Sequence, residues 1–499
     1  MSALIGLDIG TTACKASLFR EDGTLVAKAT REYSIQIPHK GWAEQNAEIV
    51  WTLAEEALAQ VLKDSGTRDV VAIGISAQGE AVMPVNAQGQ TLRPAILGMD
   101  TRTDAQNVWL RERFGAEHLF DLTGVPVHTI NTLPKLLWLR EHEPEIWSRA
   151  DKFLLYEDFV IHKMTGQAMV SRCLASRTQM YDLKADCWNT DLLDAAGLAP
   201  SRLSLVQQSG KAVGEMRPDL ASALGFSRPP LVVSGGHDQA CGALGVGLTK
   251  PGLAMVSTGT AEVMEVSLDQ PTVNKSLYES NISVYAHVVP GLYLAMTLNH
   301  SGGLLLRWFR DTFGQEELRQ AQIGGLDAYD LILKNAPDHP TRLMVLPHFS
   351  GSGTPTFDIA SKGAILGLTF ASTRPEIAKA LLEGLTFELR LNLDLLIKGG
   401  IFISELRAIG GGARSAIWVQ LKADITGLPV AVPIVTEAAG WGAALLAGVG
   451  AGVFENLDEA VNVTFEQRYL PGPYSPNYQE RYQVYQSIYP TLAALNHRL

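Results

Sequence analysis

The same strand, turn and strand occur twice in this chain, about half its length apart, and the duplication restricts the available folds more than any other feature. Residues Leu4 to Phe19 read as a strand, a tight turn at Gly10-Thr11-Thr12 and a returning strand. Residues Leu253 to Leu268 repeat that order, with Leu253 falling on Leu4, Gly259 on Gly10 and Thr260 on Thr11. Identity between the two stretches is low, but the order of elements is kept, so two related domains are expected, each opening with a hairpin. With 499 residues, 46% of them hydrophobic, the chain has apolar material for two large cores.

Lys and Arg number 41 against 52 Asp and Glu, a net charge of -11. That balance argues against nucleic acid or an acidic membrane surface as the main partner, so an anionic ligand has to be held by particular loops. Cys14, Cys173, Cys187 and Cys241 are widely spaced without a Cys-x-x-Cys pair, the usage of a reduced, cytoplasmic protein. Asp8 interrupts the first apolar run and no basic segment precedes it, so no signal peptide is expected. The stretch from Ala438 to Phe454 is rich in Gly and Ala and short for a membrane span; it reads as a buried helix.

Several apolar runs too short for helices end in residues suited to binding or reaction. Leu231-Val232-Val233 leads into Ser234-Gly235-Gly236-His237-Asp238-Gln239, where the glycines mark a close backbone approach and Asp238 either faces a cleft or caps the next segment. Val70 to Ile75 delivers Gln78, Gly79 and Glu80, and Ala95-Ile96-Leu97 runs toward Asp100. Ligands of open α/β sheets sit outside the carboxyl ends of the strands, which makes these polar residues ligand candidates, with a solvated turn as the alternative. In the second half, Leu406 to Ile409 enters Gly410-Gly411-Gly412-Ala413-Arg414, and Ser415 is placed to cap a helix over Ala416 to Thr426 whose free amides suit a nucleotide. Asn46 is likewise placed to cap a helix running toward Lys63, with Ile49, Val50 and Leu53 on its apolar face. The Rossmann fingerprint, the P-loop and metal-cage spacings are all missing from the sequence.

Two Gly-Thr turns facing one cleft would offer amides and hydroxyls to a polyphosphate from both sides: Gly10, Thr11 and Thr12 from one, Thr258, Gly259 and Thr260 from the other. Asp8 is placed to hold the water shell of Mg²⁺, and Asp238 to take the proton of an attacking hydroxyl. Lys15 either reaches a phosphate oxygen or lies on the surface.

Together these segments resemble the FGGY carbohydrate kinases over about Leu4 to Gly452. Gly6-Leu-Asp8-Ile-Gly10-Thr-Thr is similar to the family's first phosphate loop, Gly235-Gly-His-Asp238-Gln239 to its catalytic segment, Ser257-Thr-Gly259-Thr260 to its second phosphate loop and Gly410-Gly-Gly-Ala-Arg-Ser415 to its adenosine loop. Thr132-Leu-Pro-Lys135-Leu-Leu-Trp138-Leu and Gly363-Ala-Ile-Leu-Gly367-Leu with Glu376 to Glu383 match the two family signatures, apart from Ile130 and Leu381. The resemblance implies an α/β fold of two duplicated ribonuclease-H-like domains, as in actin and hexokinase, flanking a central cleft. The expected division is 1–247 for the sugar-binding domain, 248–452 for the nucleotide-binding domain and 453–499 for a helical tail. It further implies ATP and Mg²⁺ as cofactors, with Asp8 and Asp238 as the carboxylates nearest the metal, and Asp238 as general base. Gln78, Gly79, Glu80, Asp100, Asp238 and Gln239 are implied for the substrate. Lys15 and Gly411 to Ser415 join the two turns at the nucleotide.

Relatives place a bulky residue where this chain has Gly79, and an aromatic where it has Gly98. Both changes are expected to enlarge the pocket around a small sugar or polyol. A pentulose such as xylulose is the favoured substrate; glycerol, erythritol, ribulose and gluconate are alternatives, and so is a non-catalytic, chaperone-like ATPase. A homodimer is common among similar proteins.

Overall fold

The computed structural model of the chain describes residues Ser2 to Leu499. Alternation along the first hairpin sets its first sheet. Strands β1 (Ala3–Ile9), β2 (Ala13–Arg20) and β3 (Leu25–Glu32) run antiparallel in turn. Ile5, Leu7 and Ile9 share a core with helix α1 (Ala47–Ser65), which leaves Leu4, Gly6 and Asp8 on the opposite face. Asn46 caps α1 by accepting the amides of Glu48 and Ile49, as its position predicts. Ile49, expected on the apolar face, is exposed, because the buried stripe follows Ala47, Val50, Trp51, Ala54, Ala57 and Leu58.

On the other side of β1 lie β4 (Val70–Ala77), a region of short helices that includes α2 (Thr132–His142) and α3 (Tyr156–Thr165), then β5 (Ala212–Glu215) and β6 (Leu231–His237). The sheet order is β5-β6-β4-β1-β2-β3, with β4 and β6 parallel to the central strand and β5 antiparallel at the edge. Helix α4 (Asp238–Gly245) leaves directly from β6.

The second sheet repeats this plan around β7 (Leu253–Thr258), whose hairpin partner is β8 (Glu262–Leu268). Strands β9 (Ser283–Ala286) and β10 (Tyr293–Asn299) extend that side, antiparallel throughout. Helix α5 (Arg374–Lys398) precedes β11 (Glu405–Gly410), helix α6 (Ala416–Thr426) precedes β12 (Val430–Pro433), and both strands run parallel to β7. Helix α7 (Ala438–Gly450) follows, and β13 (Phe465–Tyr469) closes the edge antiparallel, giving the order β9-β10-β8-β7-β11-β12-β13. Strand for strand this is the first sheet with β9 added, so the hairpin repeat seen in the sequence is a repeat of the whole sheet. The tail expected to be helical therefore also contributes a strand, β13, standing where β5 stands in the first sheet. Its helices α8 (Ser475–Tyr485) and α9 (Ile488–Asn496) pack on the second half, where the Tyr478 hydroxyl donates to Glu383 at 2.8 Å and that of Tyr485 donates to Glu388.

The Gly/Ala-rich stretch becomes α7, buried against β1, β4, β6 and α4. Its small residues allow backbone-to-backbone packing: a Cβ on Gly6 would lie 1.8 Å from the Gly440 carbonyl oxygen, and one on Gly442 would lie 1.8 Å from that of Cys241. Among the described residues no helix is long and apolar enough to cross a membrane.

Candidate active site

The parallel pairing of β1, β4 and β6 gathers three sequence-distant segments at one edge. Asp8 is level with Ser76, and both Ile9 and His237 are level with Ala77, so the first Gly-Thr turn, Gln78 to Glu80 and Asp238 emerge side by side. A bulge between Val233 and Gly236 re-aims the end of β6. Only glycine fits there, since a Cβ on Gly235 would lie 1.8 Å from the Ile75 carbonyl oxygen, and the freed Gly235 amide donates to the buried Glu157 at 2.9 Å.

Asp238 accepts the Gln239 amide at 2.7 Å and lies 3.4 Å from His237 Nε2. Burial, then the neighbouring charge of Asp8, pushes its carboxyl up to about 7. Burial also raises Asp8, against the opposing effects of a 2.7 Å hydrogen bond from Ser76 and the charge of Lys15. His237 is held far below the usual histidine range by burial and by Arg177, so its ring is neutral.

The first turn is tied down through its carbonyls. Gln78 Nε2 and the Tyr33 hydroxyl donate to Gly10 O at 3.2 and 2.6 Å, and Gln45 donates to Thr11 O at 2.9 Å. Glu80 takes a left-handed backbone, φ 58°, that an ordinary residue keeps only under external constraint. The constraint is visible: Lys135 Nζ donates to Glu80 O at 3.0 Å and to Ile130 O at 2.6 Å, and the Thr132 hydroxyl adds a third bond. Burial brings Lys135 down to about 7. The Glu80 carboxylate is paired with Arg177, which stacks 4.5 Å over the Tyr285 ring of β9 and so joins the two halves.

The second turn sits against the triple glycine. Thr258 is level with Gly410, whose φ of 80° and closeness to Thr258 O (2.6 Å from a would-be Cβ) require glycine. Gly411 to Arg414 form a tight helical turn, and Ser415 caps α6 as expected. Gly259 O accepts from Gly303 and Thr260 O from Gly302, which fixes this turn to the loop carrying His300.

Between the halves lies a cavity of about 750 Å³. Thr11, Gln78, Gly79, Glu80, Asp238 and Gln239 line it from the first half, and Met296, Leu298, His300 and Phe357 from the second. Asp100 is not in its wall: its carboxylate is spent on Arg102 and on the Ala43 amide, a buried brace rather than a substrate contact. Lys15 lies along Glu437 at 3.2 Å, which Lys28 also pairs, and its charge still acts on Asp8. Gly79 does not enlarge the pocket, because the His237 ring fills its side-chain space at 2.7 Å; Gly98 does leave ordinary room, 3.5 Å from Ile130. Arg177, His128, His300 and Phe357 line the cavity without any signal in their local sequence.

Comparison with known proteins decides what this arrangement is. The model of the FGGY family of carbohydrate kinases, N-terminal domain, matches residues 3–245, and that of its C-terminal domain matches residues 254–451. The chain belongs to the FGGY carbohydrate kinases. It is 30% identical to a xylulose kinase of Bacillus subtilis over 99% of this chain and 98% of the relative, and 28% identical to a gluconokinase of the same organism over 99% and 96%. The crystal structure of ligand-bound xylulose kinase from Lactobacillus acidophilus superposes with a TM-score of 0.90 at 25% identity, covering 99% of each chain. This FGGY protein is accordingly an ATP-dependent phosphotransferase acting on a hydroxyl of a small sugar, and its two-sheet architecture is that of the actin and hexokinase class.

Proposed function

We propose that the acceptor is a neutral five-carbon ketose, xylulose first among them, bound in the cavity that Asp238 lines. The observation that carries this reading is the charge balance of the wall. Arg177, the cation whose charge reaches Asp238, is neutralised by Glu80, so the wall beside the base has no spare positive charge for a sugar carboxylate; Arg111, bonded to the Val127 carbonyl at 3.2 Å, keeps its charge on an exposed part of the wall. A polyhydroxylated neutral ligand suits such a site, because the Glu80-Arg177 pair offers both an acceptor and donors.

In this mechanism Asp238 accepts the proton of the attacking hydroxyl while the two glycine turns hold the phosphates in line. His237, kept neutral, buttresses the base without competing for the proton. Closure of the halves excludes water from the transfer. The donor set fits Mg²⁺: two half-buried carboxylates, Asp8 and Asp238, stand close enough for the charge of Asp8 to oppose the ionisation of Asp238, and a hard cation held by one or both would relieve that repulsion. When bound, the ion would neutralise charge building on the transferring phosphoryl group.

The test is a coupled ADP-release assay over xylulose, ribulose, glycerol, erythritol and gluconate. Xylulose is expected to give the highest kcat/KM, with gluconate at least about tenfold lower for want of a free cation beside Asp238. Gluconate as the best acceptor would overturn the charge argument.

A further inference from the structure

The loop 351–361 forms part of the second-half wall of the cavity, through Thr354, Thr356, Phe357 and Ile359. Phe357 stands at φ 47°, a left-handed conformation that a bulky residue keeps only where its surroundings hold it. Its ring lies 5.7 Å from His300 on its own side and 5.7 Å from His128 on the opposite wall, so it spans the mouth of the site. Internal bonds shape the loop: Ser352 Oγ accepts the Asp358 amide at 2.8 Å, and Gly353 O accepts the Phe357 amide at 2.8 Å.

One side of the loop is pinned to β10, where Thr354 and Leu298 exchange bonds at 2.8 and 3.1 Å, and to Asn281, which donates to Pro355 O at 2.7 Å; the end of the chain anchors the other side. The Tyr489 hydroxyl donates to Asp358 Oδ2 at 2.9 Å, His497 Nε2 meets the same oxygen at 2.6 Å, and Asn496 donates to Lys362 O at 3.0 Å. All three residues lie beyond residue 451, where the family-model match ends. We infer that α9 is a positioning element for sugar binding: Tyr489, Asn496 and His497 hold the 351–361 loop so that Phe357 meets His128 across the acceptor. The inference rests on the cavity being the acceptor site, but not on which sugar fills it.

The test uses the full-length chain, its best sugar from the acceptor panel, and the variants H497A, H497Q and the double variant Y489F/H497A. Sugar and ATP are varied separately and thermal unfolding is recorded. His497 is half exposed, so its loss should leave the fold intact. The double variant is expected to raise the KM for sugar roughly tenfold, the scale of two lost hydrogen bonds to one carboxylate, with the KM for ATP and the unfolding midpoint unchanged. H497Q, whose amide nitrogen can still donate, should recover most of the loss. An unchanged sugar KM in the double variant would overturn the inference. So would a parallel shift of sugar KM, ATP KM and unfolding midpoint, since that marks a merely structural tail. A best sugar other than xylulose would correct the substrate reading and leave this test in place.

Discussion

Asp238→Asn folds, binds ATP and loses sugar-dependent ADP release by about 10²–10⁴-fold, the usual contribution of a positioned general base. The substitution keeps the shape of the side chain and an oxygen to accept the Gln239 amide, so the start of α4 is preserved. It removes the group able to take a proton, and with it one of the two carboxylates placed for Mg²⁺. His237, 3.4 Å away, is no substitute, because burial and Arg177 keep its ring a very weak base. Nucleotide affinity, read by equilibrium binding without Mg²⁺, should change little. Turnover within a few-fold of the parent would remove Asp238 from the chemistry.

Gly442→Ala is expected to be among the most damaging single methyl groups in the chain outside the site. The new Cβ would lie 1.8 Å from the Cys241 carbonyl oxygen, and the obstacle is backbone of α4, which no rotamer change can move. Either the two central helices separate or α4 shifts, carrying Asp238 at its first turn with it. The cost is about 3 kcal/mol or more, at the upper end for overpacking. Denaturant unfolding should show it as a lowered midpoint, accompanied by reduced kcat. An unchanged midpoint would mean that the helices do not pack as closely as described.

What the sequence makes legible is what local pattern controls. The hairpin repeat, the strand-end glycines, the caps at Asn46 and Ser415 and the buried reading of the Gly/Ala-rich helix depend on near neighbours, and the structure places each accordingly. What is not legible depends on partners far along the chain. Arg177 has no marker in its own segment, and its role emerges only when β4 delivers Glu80 beside it. Asp100 shares the acidic strand-end pattern of Asp8 and Asp238, yet Arg102 consumes it. Lys15 could not be assigned because Glu437 arrives from the other half of the chain. Gly79 suggested an empty space, but spacing alone does not reveal that the His237 ring occupies it. The tail is expected to be helical from the family resemblance, while β13 is held in place by its pairing with β12.

The central claim is that a half-buried carboxylate between the duplicated halves takes the hydroxyl proton, and the pH dependence of kcat/KM for the sugar tests it most directly. Burial and Asp8 raise Asp238 to about 7, and a base works only when deprotonated. Mg²⁺ would draw Asp238 below that value in the working enzyme, so activity should fall about tenfold per pH unit below the lowered midpoint and level off above it, and the residual rate of Asp238→Asn should lack this limb. The same acid limb in the Asn variant, or an Asn variant as active as the parent at every pH, would contradict the account.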